Sequence, residues 1–423
     1  MDVNWLSLGG NEVINTARVQ AYAAGVETAD SCGAGVSVGC GCPGLAQAIE
    51  GADFGGYVDP VVDGAPWVEE TAPESADFLG VFGLEEEGGS AGTLERTPVE
   101  LAGGGSNIGV ERFKHRELTY QVVLVARSEA GMSHGLGWLM SVLRGPAGGQ
   151  GCWGAQACVF AWCPGGEVEG DRAQRLLYDV GLLETPTVMN RFKAGSGVYF
   201  TEVEFTLVAG NPHLYGLPYV ELGPGDGLQD VVRVPAGGPT GECEHALPCR
   251  RDAQCPPPLL PPRPPQPVDP CWPLSPFRAR RTMFTIPPGG VSSWSDTVPV
   301  VRVNTHGAPM RRLSVRFYSN PTGQDCSRYT DRCAACGEVN VAFLPESTQM
   351  VVDGRTQRAQ MDCSGGRGLA MSRPTLFGPN GGLFTWPVIE CASGLCIEVL
   401  WQEQDADPNA EVYIDMVARM GAA

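Results

Sequence analysis

Sixteen cysteines and five histidines (His115, His134, His213, His245 and His306) are the side chains of this chain best suited to nucleophilic or metal chemistry. Cys40-Gly-Cys42, Cys158-x4-Cys163 and Cys333-Ala-Ala-Cys336 each place two thiols at a spacing that could supply half of a tetrahedral zinc site. The zinc candidates in the first half of the chain are Cys40, Cys42, Cys158 and Cys163. Cys333 and Cys336 also have redox-dithiol spacing, but such a motif belongs in a βαβ context. Here it follows the loop-like stretch Asp325–Asp331, between strands. No histidines stand in a HExxH pattern, and neither a GxSxG elbow nor a phosphate-binding P-loop occurs. Gly103–Gly109 is glycine-rich without the Lys-Ser/Thr ending, which reads as a surface loop. Asp405, Asp407 and Asn409 alternate as calcium ligands do, but the glycine and closing glutamate of an EF-hand are missing. The pairs Glu202/Glu204 and Asp405/Asp407 read as solvated strand edges or loops. Enzymatic activity is therefore not expected, and no catalytic residue, cofactor or resident metal is assigned.

Disulfides are the favoured reading of the cysteines. They fall into three even groups: Cys32, Cys40, Cys42, Cys152, Cys158 and Cys163; Cys243, Cys249, Cys255 and Cys271; and Cys326, Cys333, Cys336, Cys363, Cys391 and Cys396. Each group can close its own bridges, although six cysteines alone allow 15 pairings. So many bridges belong to a protein that works outside the reducing cytosol. Yet Met1–Leu6 has neither the basic nor the apolar region of a signal peptide, so export by that route is not expected.

Charge and composition exclude other partners. The net charge of −19 argues against nucleic-acid binding, which needs a basic face. No apolar run approaches the roughly 18 residues of a membrane span, so membrane insertion is not expected. The 57 glycines and 35 prolines point to many turns and short strands.

The elements that must position these residues read as mainly β. Along Tyr199–Leu207, Tyr199, Thr201, Val203, Phe205 and Leu207 alternate with polar residues, the pattern of a half-buried strand. Glu117–Ala126 alternates in the same way, as do Leu313–Phe317, Val339–Phe343, Ile397–Trp401 and Val412–Met416. Asp353-Gly354 reads as a two-residue hairpin turn. One helix is expected over Ser133–Arg144, capped by Ser133, with Leu136, Leu139, Met140 and Leu143 on one stripe and Gly145-Pro146 as its stop. Cys255–Cys271 is so proline-rich that it reads as an extended spacer. The expected organisation is an N-terminal β-sheet or split-barrel domain with one helix over 1–223, a Cys/Pro-rich linker over 224–282, and a C-terminal antiparallel β-sandwich over 283–423. Trp386 and Trp401 on that sandwich are candidate glycan contacts, because aromatic rings stack on sugars.

An ordered set of segments resembles the distal tail and minor tail proteins of long-tailed, siphovirus-type actinobacteriophages. Leu8–Val19 resembles their opening hairpin, and Arg112–Ala126 followed by Gly135–Leu139 their strand-then-helix. Phe205–Gly216, a strand running into Asn211-Pro212 and Tyr215, is similar to the close of their N-terminal domain. Val298–Val300, Arg312–Gly323, Val352–Arg355 and Trp386-Pro387 resemble landmarks of their C-terminal sandwich. The resemblance implies a virion structural protein made in the host cytoplasm and placed at the tail tip, with a galectin-like outer sandwich. It implies a hexameric ring of N-terminal belt domains that contacts the tail tube protein, the tape measure and hub or fibre proteins. DNA would pass through the ring in transit, and an acidic lumen would not retain it. The alternative is a carbohydrate-binding adhesion module that contacts the host cell wall. The cysteine-rich, proline-rich linker is longer than the simple connection of the family.

Overall fold

The computed structural model describes residues 1–24, 42–89, 94–109, 111–144, 155–194, 197–234, 277–289, 295–326, 335–363, 370–371, 376–377, 383–389, 394–404 and 406–420. The chain divides into two compact units, Met1–Leu217 with Met420–Ala423, and Pro218–Arg419. The division falls ahead of the expected boundary at 223, because Val220 and Leu222 already pack on the second core.

In the first unit the strand Asp2–Leu8 turns through Gly9-Gly10 into Asn11–Asn15. Both glycines have positive φ, 61° and 82°, the backbone that a two-residue hairpin with the right twist demands. Asp2–Leu8 also pairs with Ala155–Phe160, which pairs with Gln174–Leu182. The long strands Phe78–Glu87, Arg116–Ala126 and Tyr199–Ala209 lie side by side, all antiparallel. Gln174–Leu182 and Thr187–Lys193 run in succession along Tyr199–Ala209. The expected alternation is borne out: Thr201, Val203, Phe205 and Leu207 are buried, with half-buried residues between them. No barrel closes among the described strands. A bulge at Gly80, φ 118°, bends its strand where Trp67 packs, and a Cβ there would meet the indole at 2.8 Å.

Helix is more abundant than the single one expected. Thr16–Ala24, Leu45–Glu50, Glu129–Leu143 and Glu167–Ala173 are all α-helical. The expected helix begins earlier, at Glu129, and its cap is Ser128 rather than Ser133. The Ser128 hydroxyl accepts from the Gly131 N–H at 3.0 Å. Leu139 and Leu143 are buried as foreseen. Gly131 and Gly135 make the missed contribution, because a Cβ on Gly135 would stand 2.3 Å from the Phe78 ring. The three other helices are short and carry little amphipathic signal, so only tertiary packing reveals them.

The second unit is an antiparallel β-sandwich. One sheet runs Leu228–Val234, Phe277–Ile286, Leu395–Gln402, Met310–Ser319, Gly337–Leu344, Leu376–Phe377. The other includes Glu411–Met420, Asp296–Asn304, Thr348–Asp353, Arg358–Cys363 and Ala370–Met371, paired in that order. Val315, Phe317, Ile397 and Val399 from the first face Val301, Val303, Met350 and Ile414 from the second in one core. Two strands of this unit, Leu228–Val234 and Phe277–Ile286, occupy the ends of the stretch expected to be linker and pair with each other. The proline-rich Cys255–Cys271 lies outside the described residues. The turn after Asp353 is longer than the expected two residues: Asp353 pairs with Arg358 across residues 354–357.

Candidate functional site

The most unusual surface is in the first unit, where strands extend beyond any core. Past Glu87 and before Arg116, Leu94–Glu95 pairs with Arg112–Phe113, and Pro98–Glu100 with Ser106–Ile108. All ten residues are exposed. Val99 is 60% and Ile108 66% accessible, although both are strand-favouring apolar residues that ordinarily seek cover. The glycine-rich stretch read as a surface loop forms the turn of this hairpin, with Leu101 N–H donating to the Gly105 carbonyl at 2.9 Å.

Thr187–Lys193 is similar. It pairs on one side with Tyr199–Ala209 and on the other with no described strand, and all seven of its residues are exposed. Successive side chains point to opposite faces of a strand, so both faces are open. Val188, Met189 and Phe192 lie among them, with Phe192 stacked on Phe200 at 5.0 Å. Such an edge offers unpaired backbone donors and acceptors to another chain. Periodicity does not mark it, because Val188, Met189 and Phe192 fall on both faces of the strand and give no period-two pattern.

The cysteines resolve in part. Cys42 and Cys163 are disulfide-bonded, as are Cys326 and Cys396. Each bridge joins members of one expected group. Cys158 does not join Cys42 and Cys163. It is buried and free, with Gln174 Nε2 2.8 Å from its sulfur. Burial raises its thiol pKa, opposed by hydrogen bonds from Gln174 and Trp5. Cys336 is free and exposed. Cys32, Cys40, Cys152, Cys243, Cys249, Cys255, Cys271, Cys333, Cys391 and the side chain of Cys363 lie outside the described residues, as does Asp405.

Two charge clusters escaped the sequence reading. In the first unit, Arg18 forms a two-pronged ion pair with Glu12, Nε to Oε1 at 2.9 Å and Nη2 to Oε2 at 3.1 Å. It also donates to Tyr22 Oη at 3.1 Å and lies 4.2 Å from the Tyr57 ring centre. Burial works against the Arg18 charge, but the Glu12 carboxylate and the hydrogen bonds more than offset it, so its pKa is raised. Burial also pulls the Glu12 carboxyl upward, opposed by Arg18. In the second unit, Asp230, Arg281, Glu398, Arg316 and Glu338 alternate in sign across five neighbouring strands. Arg281 grips Asp230 at 2.7 and 2.9 Å, and Arg316 reaches Glu338 at 2.8 Å and Glu398 at 3.4 Å.

Of the candidate glycan contacts, Trp401 is 5% exposed and part of the core, so a stacking face is left only at half-buried Trp386, itself edge-on to Phe384 at 4.9 Å. Trp401 also lines a cavity of about 170 Å³ with Arg280, Thr282, Phe284 and Glu411. That is smaller than the roughly 300–1,000 Å³ of ordinary ligand pockets. Asp407 accepts from the Asn409 and Gly307 N–H groups, both at 2.8 Å, and so pins a loop instead of presenting its oxygens to calcium.

No family profile matches the chain, and no curated protein does. Among solved structures, the Dit protein of phage SPP1, described as a paradigm of the hub adsorption apparatus in phages that infect Gram-positive bacteria, is similar at a TM-score of 0.38. Identity is 12%, over 81% of this chain and 94% of that one. A cycloalternan-forming enzyme from Listeria monocytogenes aligns at a TM-score of 0.16 and 10% identity, over 78% of this chain and 25% of that one. Neither score is high enough to carry an inference.

Proposed function

We propose that this chain is a structural protein of a phage tail tip, made in the host cytoplasm and assembled through its first unit into a ring. The ring, a hexamer in the family the sequence resembles, joins the tail tube to hub or fibre proteins and lets DNA pass. The observation that carries this reading is the Thr187–Lys193 strand, open on both faces and along one edge. A monomer gains nothing from leaving apolar strand uncovered, whereas a copy that adds its own strand there satisfies backbone and side chains together. The net charge of −19 suits a channel for DNA, because it keeps the duplex from binding the wall. A sugar-binding role for the second unit rests on Trp386.

The test is negative-stain imaging and mass photometry of the purified chain. Closed rings are expected, and Met189→Glu is expected to dissolve them while leaving the melting temperature unchanged, since exposed substitutions shift stability by less than about 0.5 kcal/mol. A monodisperse monomer at micromolar concentration with no affinity for tail tube protein overturns the reading.

A further inference from the structure

Asp2, Cys42 and Cys163 come from three separate stretches of the first unit. Even so, a carboxylate oxygen of Asp2 and the two sulfurs all lie within 4.8 Å of one another. Asp2 opens the first strand, Cys42 precedes the helix Leu45–Glu50, and Cys163 follows the strand Ala155–Phe160. Cys42 is buried and Cys163 exposed, so the group is anchored on one side and reachable from the other. The Pro164 carbonyl oxygen adds another electron-rich atom, 3.5 Å from the Cys42 sulfur and 3.9 Å from that of Cys163.

As a disulfide the pair is uncharged and sits beside Asp2 without conflict. Reduction changes the electrostatics, since two thiolates and a carboxylate in so small a space need protons or a cation to neutralise them. Two sulfurs and one carboxylate oxygen are a donor set that suits Zn²⁺, with a fourth position left for water. The acidic chain also raises the local concentration of cations.

We propose that reduced Cys42 and Cys163 bind Zn²⁺ together with Asp2, and that the zinc dithiolate and the disulfide are alternative states of one site. A low-molecular-weight disulfide converts the first state into the second. The exposed Cys163 thiolate attacks one of its sulfurs and expels a small thiolate. The Cys42 thiolate then attacks the Cys163 sulfur of the mixed disulfide and expels the second. One S–S bond breaks and one forms, two electrons pass from the protein pair to the small disulfide, and Zn²⁺ leaves with its oxidation state unchanged. This exchange stands apart from ring assembly and would hold for a monomer as well.

The test uses the full chain, reduced with a phosphine, freed of metal and titrated with Zn²⁺ against a chromophoric chelator. Other thiols in the chain also take up metal, so the reading is the difference between variants. Cys163→Ser is expected to lose one zinc equivalent. Asp2→Asn retains all thiols and the Oδ1 that accepts from the Asn4 backbone N–H at 2.8 Å and from its side-chain amide; it is expected to weaken one equivalent by roughly tenfold or more while its oxidised form melts as the parent does. Oxidised glutathione added to the zinc-loaded parent is expected to release one equivalent as the Cys42–Cys163 bond appears by peptide mass spectrometry. The proposal is overturned by unchanged stoichiometry in Cys163→Ser, by unchanged affinity in Asp2→Asn, or by a Cys42–Cys163 bond formed without zinc release.

Discussion

Each unit ties distant segments together with a disulfide and a desolvated set of charges, but the geometry differs. In the first unit Arg18 is the cation that Glu12, Tyr22 and Tyr57 share, gathered from a hairpin, a helix and a loop, with Asn15 Nδ2 bridging Glu12 and Tyr57 at 2.9 and 3.0 Å. In the second, five charged residues alternate across neighbouring strands, and the regular spacing of the sheet brings them together. The disulfides follow suit. Cys42–Cys163 joins two loops and is open at Cys163. Cys326–Cys396 is sealed beside Met283 and Tyr318, in a small apolar cluster on the outer side of its sheet. Where loops converge, one cation becomes hard to replace. Where a sheet sets the register, charge is shared and the loss of one member is partly covered.

Arg18→Ala tests the first half of that contrast and has the largest expected effect. It leaves Glu12 buried without its cation, with only the Asn15 amide at 2.9 Å to hold the carboxylate, a change that costs about 3–5 kcal/mol, read as a lowered denaturant midpoint for the full chain. Arg316→Ala is expected to cost less, about 1.5–3 kcal/mol. Glu398 keeps Tyr318 Oη at 3.3 Å and Arg281 at 4.0 Å. Equal losses in the two variants would break the comparison. The smallest effect concerns acid. The Asn409 N–H, and then that of Gly307, lower the pKa of Asp407. A lowered carboxylate stabilises the fold above its ordinary pKa, and that stability disappears as pH falls through the lowered value. Asp407→Asn should therefore melt below the parent at neutral pH and converge with it in acid. A constant gap from pH 7 down to strong acid would show that the N–H contacts do not depend on the charge.

How legible each region was depended on how local its cause is. The alternation of Thr201 to Leu207 and the sandwich strands around Phe317 and Val399 were readable, because period-two burial is written in neighbouring residues. The start of the Glu129–Leu143 helix was misplaced because Ser128 and Ser133 are equally good caps on paper. Only the packing of Gly131 and Gly135 against Asp77 and Phe78 selects between them. The strands Leu228–Val234 and Phe277–Ile286 were absorbed into the linker, since the prolines between them dominate the composition. Neither charge cluster was visible, because Glu12, Arg18 and Tyr57 or Arg281, Glu398 and Arg316 meet only after the chain has folded.

Two strand-rich parts, even groups of cysteines and a strong negative charge are all readable in the sequence. Composition and short-range pattern suffice for such properties. Only folding brings Cys42 to Cys163 across 121 residues beside Asp2, and only folding leaves Thr187–Lys193 open. Pairing and exposure depend on which distant segments arrive as neighbours, and no local pattern encodes that.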